Sequence, residues 1–223
     1  MILQFVEPEN IENLYPLTLT RPAADLRCGI LTVAEKWMRD LSISSEDVGF
    51  ITRNYLQGAG SPYPAKATSE VCLFIHGCAL PNPSIVNAVK NLKPGEALIH
   101  NQKTIAQLSY APNDVVQNPI VFENEIDWIE RPYHIFALNG KEIIQDFARI
   151  TNGRASIDIS TSNQILGEHP IFLEEGAKVE CCILNAKDGP IYIGKNAEIM
   201  EGSLVRGPLA LCEGSVLKMG SKV

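Results

Sequence analysis

From Ile193 to the end of the sequence a single spacing repeats. Ile193, Ile199, Val205, Leu211, Leu217 and Val223 recur every six residues, and Ala197, Ser203, Leu209, Ser215 and Ser221 stand four places after the first five. An amphipathic helix returns its apolar residues at three and four, and a half-buried strand at two, so a period of six fits neither. It fits a hexapeptide β-helix, in which the aliphatic residue points inward and the small residue occupies a tight place near a corner. Lys195, Asn196, Glu198, Glu201, Lys218 and Lys222 then face outward.

A coarser repeat agrees. PIFLEEGAKV from Pro170, PIYIGKNAEI from Pro190 and PLALCEGSVL from Pro208 read as one unit, at spacings of twenty and eighteen residues. Eighteen is three hexapeptides, and the extra two fit an outward loop near 185–189; Leu173 and Val179 keep the phase before it. Stacked coils need covered ends. Val223 opens a new hexapeptide, so the expectation is a truncated chain, part of something longer, or an end covered by a symmetry partner.

The composition sets limits on function. The 223 residues have room for one medium domain and a smaller module, with 45% hydrophobic and 20% charged residues, enough to bury a core. A net charge of −7 without clustered Lys and Arg argues against nucleic-acid binding. Met1–Val6 lacks a charged leader and Glu7 follows it, so neither a secretory signal nor a membrane span is expected. Cys28, Cys72, Cys78, Cys181, Cys182 and Cys212 show no CxxC spacing and read as reduced thiols of a cytoplasmic protein. Cys181 and Cys182, placed on a strand, would point to opposite faces.

Upstream of the coils the pattern changes. Apolar runs at 1–6, 48–52, 71–75 and 97–99 read as strands. Thr32 and Glu35 make a capping box for a helix with Val33, Trp37, Met38 and Leu41 on its apolar face and Lys36 toward solvent. Asn82-Pro83 opens a second helix that buries Ile85, Val89 and Leu92. Asn139 with Glu142 caps a third, burying Ile143, Ile144 and Phe147. Alternating strands and helices imply an α/β domain with a mainly parallel or mixed sheet, and Thr151–Ser162 is the expected junction.

An α/β domain followed by hexapeptide coils, with PLTLTRP (Pro16–Pro22) after the first strand and GPIYIGKNAEIMEGSLVRGP (Gly189–Pro208) in the coils, resembles the sugar-phosphate nucleotidyltransferases, the group of glucose-1-phosphate thymidylyltransferase and the bifunctional uridylyltransferase/acetyltransferase. The resemblance implies a Rossmann-like nucleotidyltransferase domain over 1–165 and the start of a left-handed β-helix over 166–223. It also implies a reaction that joins a sugar 1-phosphate to an NTP and releases pyrophosphate, Mg²⁺ as cofactor, and a homo-oligomer, a trimer through the coils being one form common among such proteins. Such chemistry needs cations to neutralise the departing pyrophosphate, backbone N–H groups close to the phosphates, and a hard oxygen ligand for the metal.

The sequence departs from that family pattern in two places. Where a glycine-rich loop ending in Arg is expected, it has Glu7-Pro8-Glu9-Asn10-Ile11-Glu12-Asn13, with Asn13 at the place of the Arg; Ala23 follows Pro22 where a Lys is expected. Carboxylates about 4 Å from a phosphate repel it by about 1 kcal/mol each even in water, an objection to NTP binding there. After the third strand, Cys78 stands where the magnesium Asp is expected, and a thiol is a soft ligand. Arg21 and Arg27 are then the candidates for phosphate contact and catalysis, or ion-pair partners of Asp25 and the Glu loop. Thr18, Thr20, His76, Asn101 and Gln102 are candidates for substrate binding, each with a structural alternative: turn hydroxyls, a hydrogen-bonded His, or merely a strand-end position. Asp114 and Asp127 are candidate replacement carboxylates, and the metal ligand stays unidentified.

Three functions compete. One is a nucleotidyltransferase with a rearranged phosphate site. A second is an inactive relative that acts as a binding or assembly module. The third is acyl transfer by the coils, for which the hexapeptide stretch supplies no histidine; His169 stands at its entrance.

Overall fold

The structure is a computed structural model that describes residues 1–58, 60–66 and 69–223. It divides into two compact units, Met1–Arg27 with Leu31–Ala137, and Cys28–Ile30 with Leu138–Val223.

The first unit is built on a six-stranded mixed sheet in the order β2-β1-β3-β5-β4-β6. Its strands are β1 (Leu3–Val6), β2 (Val48–Ile51), β3 (Cys72–His76), β4 (Glu96–His100), β5 (Lys103–Ser109) and β6 (Asn118–Val121). β1 is parallel to both β2 and β3, and β5 is antiparallel to β3 and β4. Three of the four apolar runs become interior strands because each is covered, with Leu3, Phe5, Leu73, Ile75, Ala97 and Leu98 all buried, while the run at 48–52 forms the edge strand β2. β5 and β6 were not anticipated. KTIAQLS interleaves polar residues that the sheet nonetheless buries, Gln107 and Ser109 among them, and β6 is an exposed edge strand with Pro119 in it.

Helix α1 (Val33–Leu41) has the expected capping box: Thr32 Oγ1 accepts from Glu35 N–H at 3.2 Å, and Glu35 Oε2 accepts from Thr32 N–H at 2.7 Å. Trp37 is fully buried and donates its indole N–H to the Ala79 carbonyl at 2.8 Å. Lys36, expected on the solvent side, is fully buried as well. The amphipathic pattern misleads there because Val33, Ala34, Lys36 and Trp37 are all covered, a wider arc than one apolar stripe. Helix α2 (Pro83–Lys90) begins as expected, with Asn82 Oδ1 accepting from the N–H groups of Ser84 and Ile85 at 3.0 Å.

Helix α3 spans Pro132–Thr151, so it starts before the expected cap at Asn139. Pro132 opens the helix, and Ile144, expected in the core, is 46% exposed. The Asn139 side chain serves the second unit: its Oδ1 accepts from Gly29 N–H at 2.8 Å, and Asp146 Oδ2 accepts from Ile30 N–H at 2.9 Å. Gly29 lies at φ +84, where a Cβ would come within 2.6 Å of Asp146 Oδ2, so only glycine fits this docked turn.

The coils supply the rest of the second unit. β7 (Gln164–Leu166), β10 (Ile183–Asn185) and β13 (Leu204–Arg206) form one parallel sheet; β8 (Ile171–Leu173), β11 (Ile191–Ile193) and β14 (Leu209–Leu211) form a second; β9 (Lys178–Val179), β12 (Glu198–Ile199) and β15 (Val216–Leu217) form the third. Three short parallel sheets traversed in rotation make a β-helix-like stack. The inward series is buried, with Leu173, Val179, Leu184, Ile193, Ile199, Val205 and Leu211 in one core and Ala197 and Ser203 at its corners. Ser203 Oγ donates to the Met200 carbonyl at 2.7 Å, which satisfies the hydroxyl in that corner. Ser215 and Leu217 are half-buried and Val223 is 56% exposed. Cys181 and Cys182 do stand apart, one exposed and one buried, but Cys181 occupies a bend at φ +52 and not a strand. All six cysteines are free thiols.

The division into units falls inside α3, whereas the expected boundary lay at 165/166. The C-terminal half of α3 goes with the coils because Phe147 packs edge-on against Phe172, with ring centroids 6.4 Å apart. Arg154, in the Thr151–Ser162 stretch read as the junction, forks onto Glu174 at 2.9 and 2.6 Å. Among the described residues no helix is long and apolar enough to cross a membrane.

Ile193 is fully buried in the coil core, and Ile193→Ala is expected to destabilise the second unit by about 2–5 kcal/mol, read as a lower urea midpoint.

Candidate active site

The chain runs from β1 to β2 on one side of β1 and comes back to β3 on the other, so a crevice opens at the carboxyl ends of β1 and β3. Such a reversal is where open α/β sheets take ligands. Glu7 leaves β1, Thr52-Arg53 follow β2, and His76-Gly77-Cys78 leave β3. Asn101 and Gln102, at φ 47 and 66, are the two turn residues of the β4–β5 hairpin, whose tip rises at the same edge of the sheet.

Arg53 is the hub of this edge. Its Nε donates to Glu7 Oε2 at 3.1 Å and its Nη2 to Glu7 Oε1 at 3.0 Å, a bidentate pair with side chains only 17% and 11% exposed. The same Nη2 donates to the carbonyls of Thr18 at 2.6 Å and Arg21 at 3.0 Å, and Nη1 donates to Tyr55 Oη at 2.8 Å. Tyr55 Oη donates in turn to the Leu19 carbonyl at 3.0 Å. The PLTLTRP segment is therefore a strap, tied to the sheet through three of its carbonyls. The expected repulsion from the Glu loop is corrected in part: Glu7, the carboxylate nearest the sheet, is neutralised by Arg53.

A second cluster lies across β3. Lys103 pairs with Glu130 and stands 5.4 Å from the centre of the Trp128 ring, and Trp128 meets His76 edge-on at 4.9 Å. His76 Nδ1 accepts from the Cys78 N–H at 3.2 Å, so the neutral ring carries its proton on Nε2. Burial pulls His76 down to about 4, with Glu130 opposing and Lys103 adding to the fall. Burial pushes the Cys78 thiol up to about 12, helped by Glu130 and Glu7 and opposed by Lys103. At neutral pH His76 is thus an uncharged donor and Cys78 an inert thiol. A cavity of about 110 Å³ opens beside His76, between Phe74, Thr104, Gln107 and Pro112.

Further along the same edge, Arg131 Nη1 donates to Asn13 Oδ1 at 2.7 Å. Asn13 is the position where the sequence lacks an arginine, and the fold brings one to it from the segment that precedes α3. The arginines chosen from sequence are placed less favourably: Arg21 lies 3.9 Å from Asp25 and Arg27 3.7 Å from Glu35, the first of these being the ion pair weighed as the alternative. Thr18 is fully buried and Thr20 exposed. Asp114 is turned into its own loop, accepting from the N–H groups of Tyr110 and Ala111 at 3.0 and 2.7 Å, and the Asp127 carbonyl accepts from Leu80 N–H at 3.0 Å. Sequence reasoning missed Arg53, Lys103, Trp128 and Arg131. Arg53 follows the carboxyl end of a strand, and the rule that selected Asn101 and Gln102 would have found it; Lys103 opens β5, a strand the sequence does not mark, and nothing local marks Arg131.

Compared with protein-family models, residues 3–155 match the model described as sugar nucleotidyl transferase. The chain belongs to the sugar nucleotidyl transferase family. No curated protein matches it.

The family implies Mg²⁺, and the donors at this edge do not suit it. Glu7 is committed to Arg53 and Glu130 to Lys103, Cys78 is a protonated soft ligand, and among the described residues no three His, Cys, Asp or Glu side chains come together as a metal site.

Two outcomes follow from the buried pair after β3. Cys78 should resist a maleimide at pH 8 in the folded protein while exposed Cys181 is labelled, as read by mass spectrometry. Because His76 binds its proton less readily folded than unfolded, its stabilising share is full above about pH 6.5 and is lost as pH falls from there toward about 4; His76→Gln should flatten that part of the stability profile.

Proposed function

We propose that the edge formed by Glu7, Arg53, His76, Lys103 and Arg131 is the active site of a sugar-1-phosphate nucleotidyltransferase of the thymidylyl- or uridylyl-transferring kind. In that reaction a phosphate oxygen of the sugar 1-phosphate attacks the α-phosphorus of the NTP. The new P–O bond forms as the bond to the β-phosphate breaks, and pyrophosphate leaves with the electron pair. The protein's share is positioning and charge neutralisation.

The observation that carries this reading is the Arg131–Asn13 hydrogen bond. It brings a guanidinium to a loop whose own sequence lacks one, and the first carboxylate of that loop, Glu7, is neutralised by Arg53. Lys103, held over Trp128, is a further cation for the developing charge, and His76 can donate from Nε2 without carrying charge. Family membership supports the reaction class. For the remainder, the proposal is a cytoplasmic protein whose coils wind left-handed and assemble as homo-oligomers, trimers among them, with no nucleic acid or membrane as partner.

A specific feature favours a second reading. Cys78, buried and protonated where a metal carboxylate is expected, together with the committed carboxylates, suits a relative that binds nucleotide or sugar phosphate without turning it over. Pyrophosphate release separates the two, with dTTP or UTP, glucose 1-phosphate and Mg²⁺ supplied. Release should occur, and Arg131→Met should lower kcat/KM by about 10–100-fold. Nucleotide binding by calorimetry without any release would favour the second reading.

A further inference from the structure

The tip of the β4–β5 hairpin carries two exposed amides, Asn101 and Gln102, at φ 47 and 66. A two-residue turn of this kind favours Asn followed by Gly, because both residues sit in the left-handed region. Gln102 stands where glycine would be easier, so the turn keeps a second long polar side chain at a conformational cost. Asn101 is held from within the sheet. His100, the last residue of β4, meets the Phe122 carbonyl through Nδ1 at 2.8 Å and Asn101 Nδ2 through Nε2 at 2.9 Å. A carbonyl only accepts, so Nδ1 carries the proton, and Nε2 of the neutral ring accepts from the Asn101 amide. The Phe122 ring, edge-on at 6.4 Å, packs against the imidazole. With its nitrogen spent on the ring, Asn101 turns Oδ1 away from His100, and among the described residues nothing donates to that oxygen. The tip is open to solvent, so a ligand reaches it without displacing any part of the fold.

We propose that Asn101 recognises a hydroxyl of the sugar, accepting from it through Oδ1, and that His100 is the positioning residue that holds the amide in that orientation. This deepens the nucleotidyltransferase reading and rests on it. A fully ionised phosphate has no hydrogen to give, so the tip in this orientation selects the sugar and leaves phosphate to the cations of the edge. A second proton on His100 reverses the tip. Nε2 then donates, the amide rotates to offer it Oδ1, and the NH₂ group turns outward. Lys103, opposite His100 in the hairpin and itself paired with Glu130, and Glu123, next after Phe122, are the charged groups on the segments that flank the ring.

Asn101→Gly removes the amide and suits the turn, since glycine takes positive φ without strain. Glucose 1-phosphate and inorganic phosphate are titrated calorimetrically into the full chain, while nitrogen NMR follows His100 and the Asn101 side-chain amide against pH. Asn101→Gly is expected to keep the thermal midpoint, weaken glucose 1-phosphate about 3–10-fold and leave inorganic phosphate unchanged. His100→Asn, which keeps a donor for the Phe122 carbonyl and offers Asn101 no lone-pair nitrogen, should weaken the sugar phosphate in the same sense. In the wild type the Asn101 amide signals should move with the midpoint of His100. The advantage of wild type over Asn101→Gly should be present above that midpoint and lost below it. Equal binding of glucose 1-phosphate by wild type and Asn101→Gly, an equal loss for inorganic phosphate, or an Asn101 amide indifferent to the His100 titration would each overturn the assignment. Turnover is read separately by pyrophosphate release. Release at limiting glucose 1-phosphate that ignores Asn101→Gly removes the inference and leaves the enzyme, whereas Asn101-dependent binding without release keeps the inference and removes the enzyme.

Discussion

A carboxylate at the carboxyl end of a central strand stands where a phosphate-binding fold needs positive charge, and Glu7 is such a carboxylate. It is tolerated because Arg53 meets it with both arms at 3.0–3.1 Å in a pair that is mostly withdrawn from water. Removing one partner of a buried pair costs about 3–5 kcal/mol, since the other is left charged and unsolvated. The pair therefore acts as a unit, and the rest of the edge is arranged around it. The guanidinium reaches past Glu7 to the carbonyls of Thr18 and Arg21, so one side chain sets both the charge of the crevice and the course of the strap above it.

The same economy of charge runs along the edge. Lys103 is paired to Glu130 and rests over Trp128, and Arg131 is tethered to Asn13. Arg53 spends its donors on Glu7, Tyr55 and the strap carbonyls, whereas Lys103 has a single ion-pair partner and Arg131 a single side-chain acceptor. His76 and Cys78 lie beneath as uncharged groups, and their burial keeps further charge out of the crevice. The cations come from the segment after β2, from the start of β5 and from the approach to α3, and not from the loop after β1.

In the second unit the organising constraint is repetition. Ile193, Ile199 and Val205 lie within one coil, and each meets its counterpart in the next through parallel pairing, as Ile193 meets Leu173 and Leu211. Cooperative burial of this kind holds strands of only two or three residues that could not stand alone. The Cys28–Ile30 turn joins this unit through Asn139 and Asp146, so α3 is bound by backbone donors from a segment more than a hundred residues away in sequence.

By itself the sequence determined what depends on neighbours along the chain. The six-residue period, the Thr32–Glu35 box, the Asn82-Pro83 start and the apolar strands were all legible, because capping, turn and alternation chemistry act over a few residues. The tertiary structure decided what depends on partners far apart. It buried Lys36 on what looks like a solvent face, extended α3 backward to Pro132, and gave Asn139 to Gly29 instead of to a helix start. It also paired Arg21 with Asp25 and Arg27 with Glu35, and brought Arg53 to Glu7 and Arg131 to Asn13. A guanidinium's role follows from which carboxylates and carbonyls fold to within 3 Å of it, and Arg131 lies 118 residues from Asn13, beyond the reach of any local pattern.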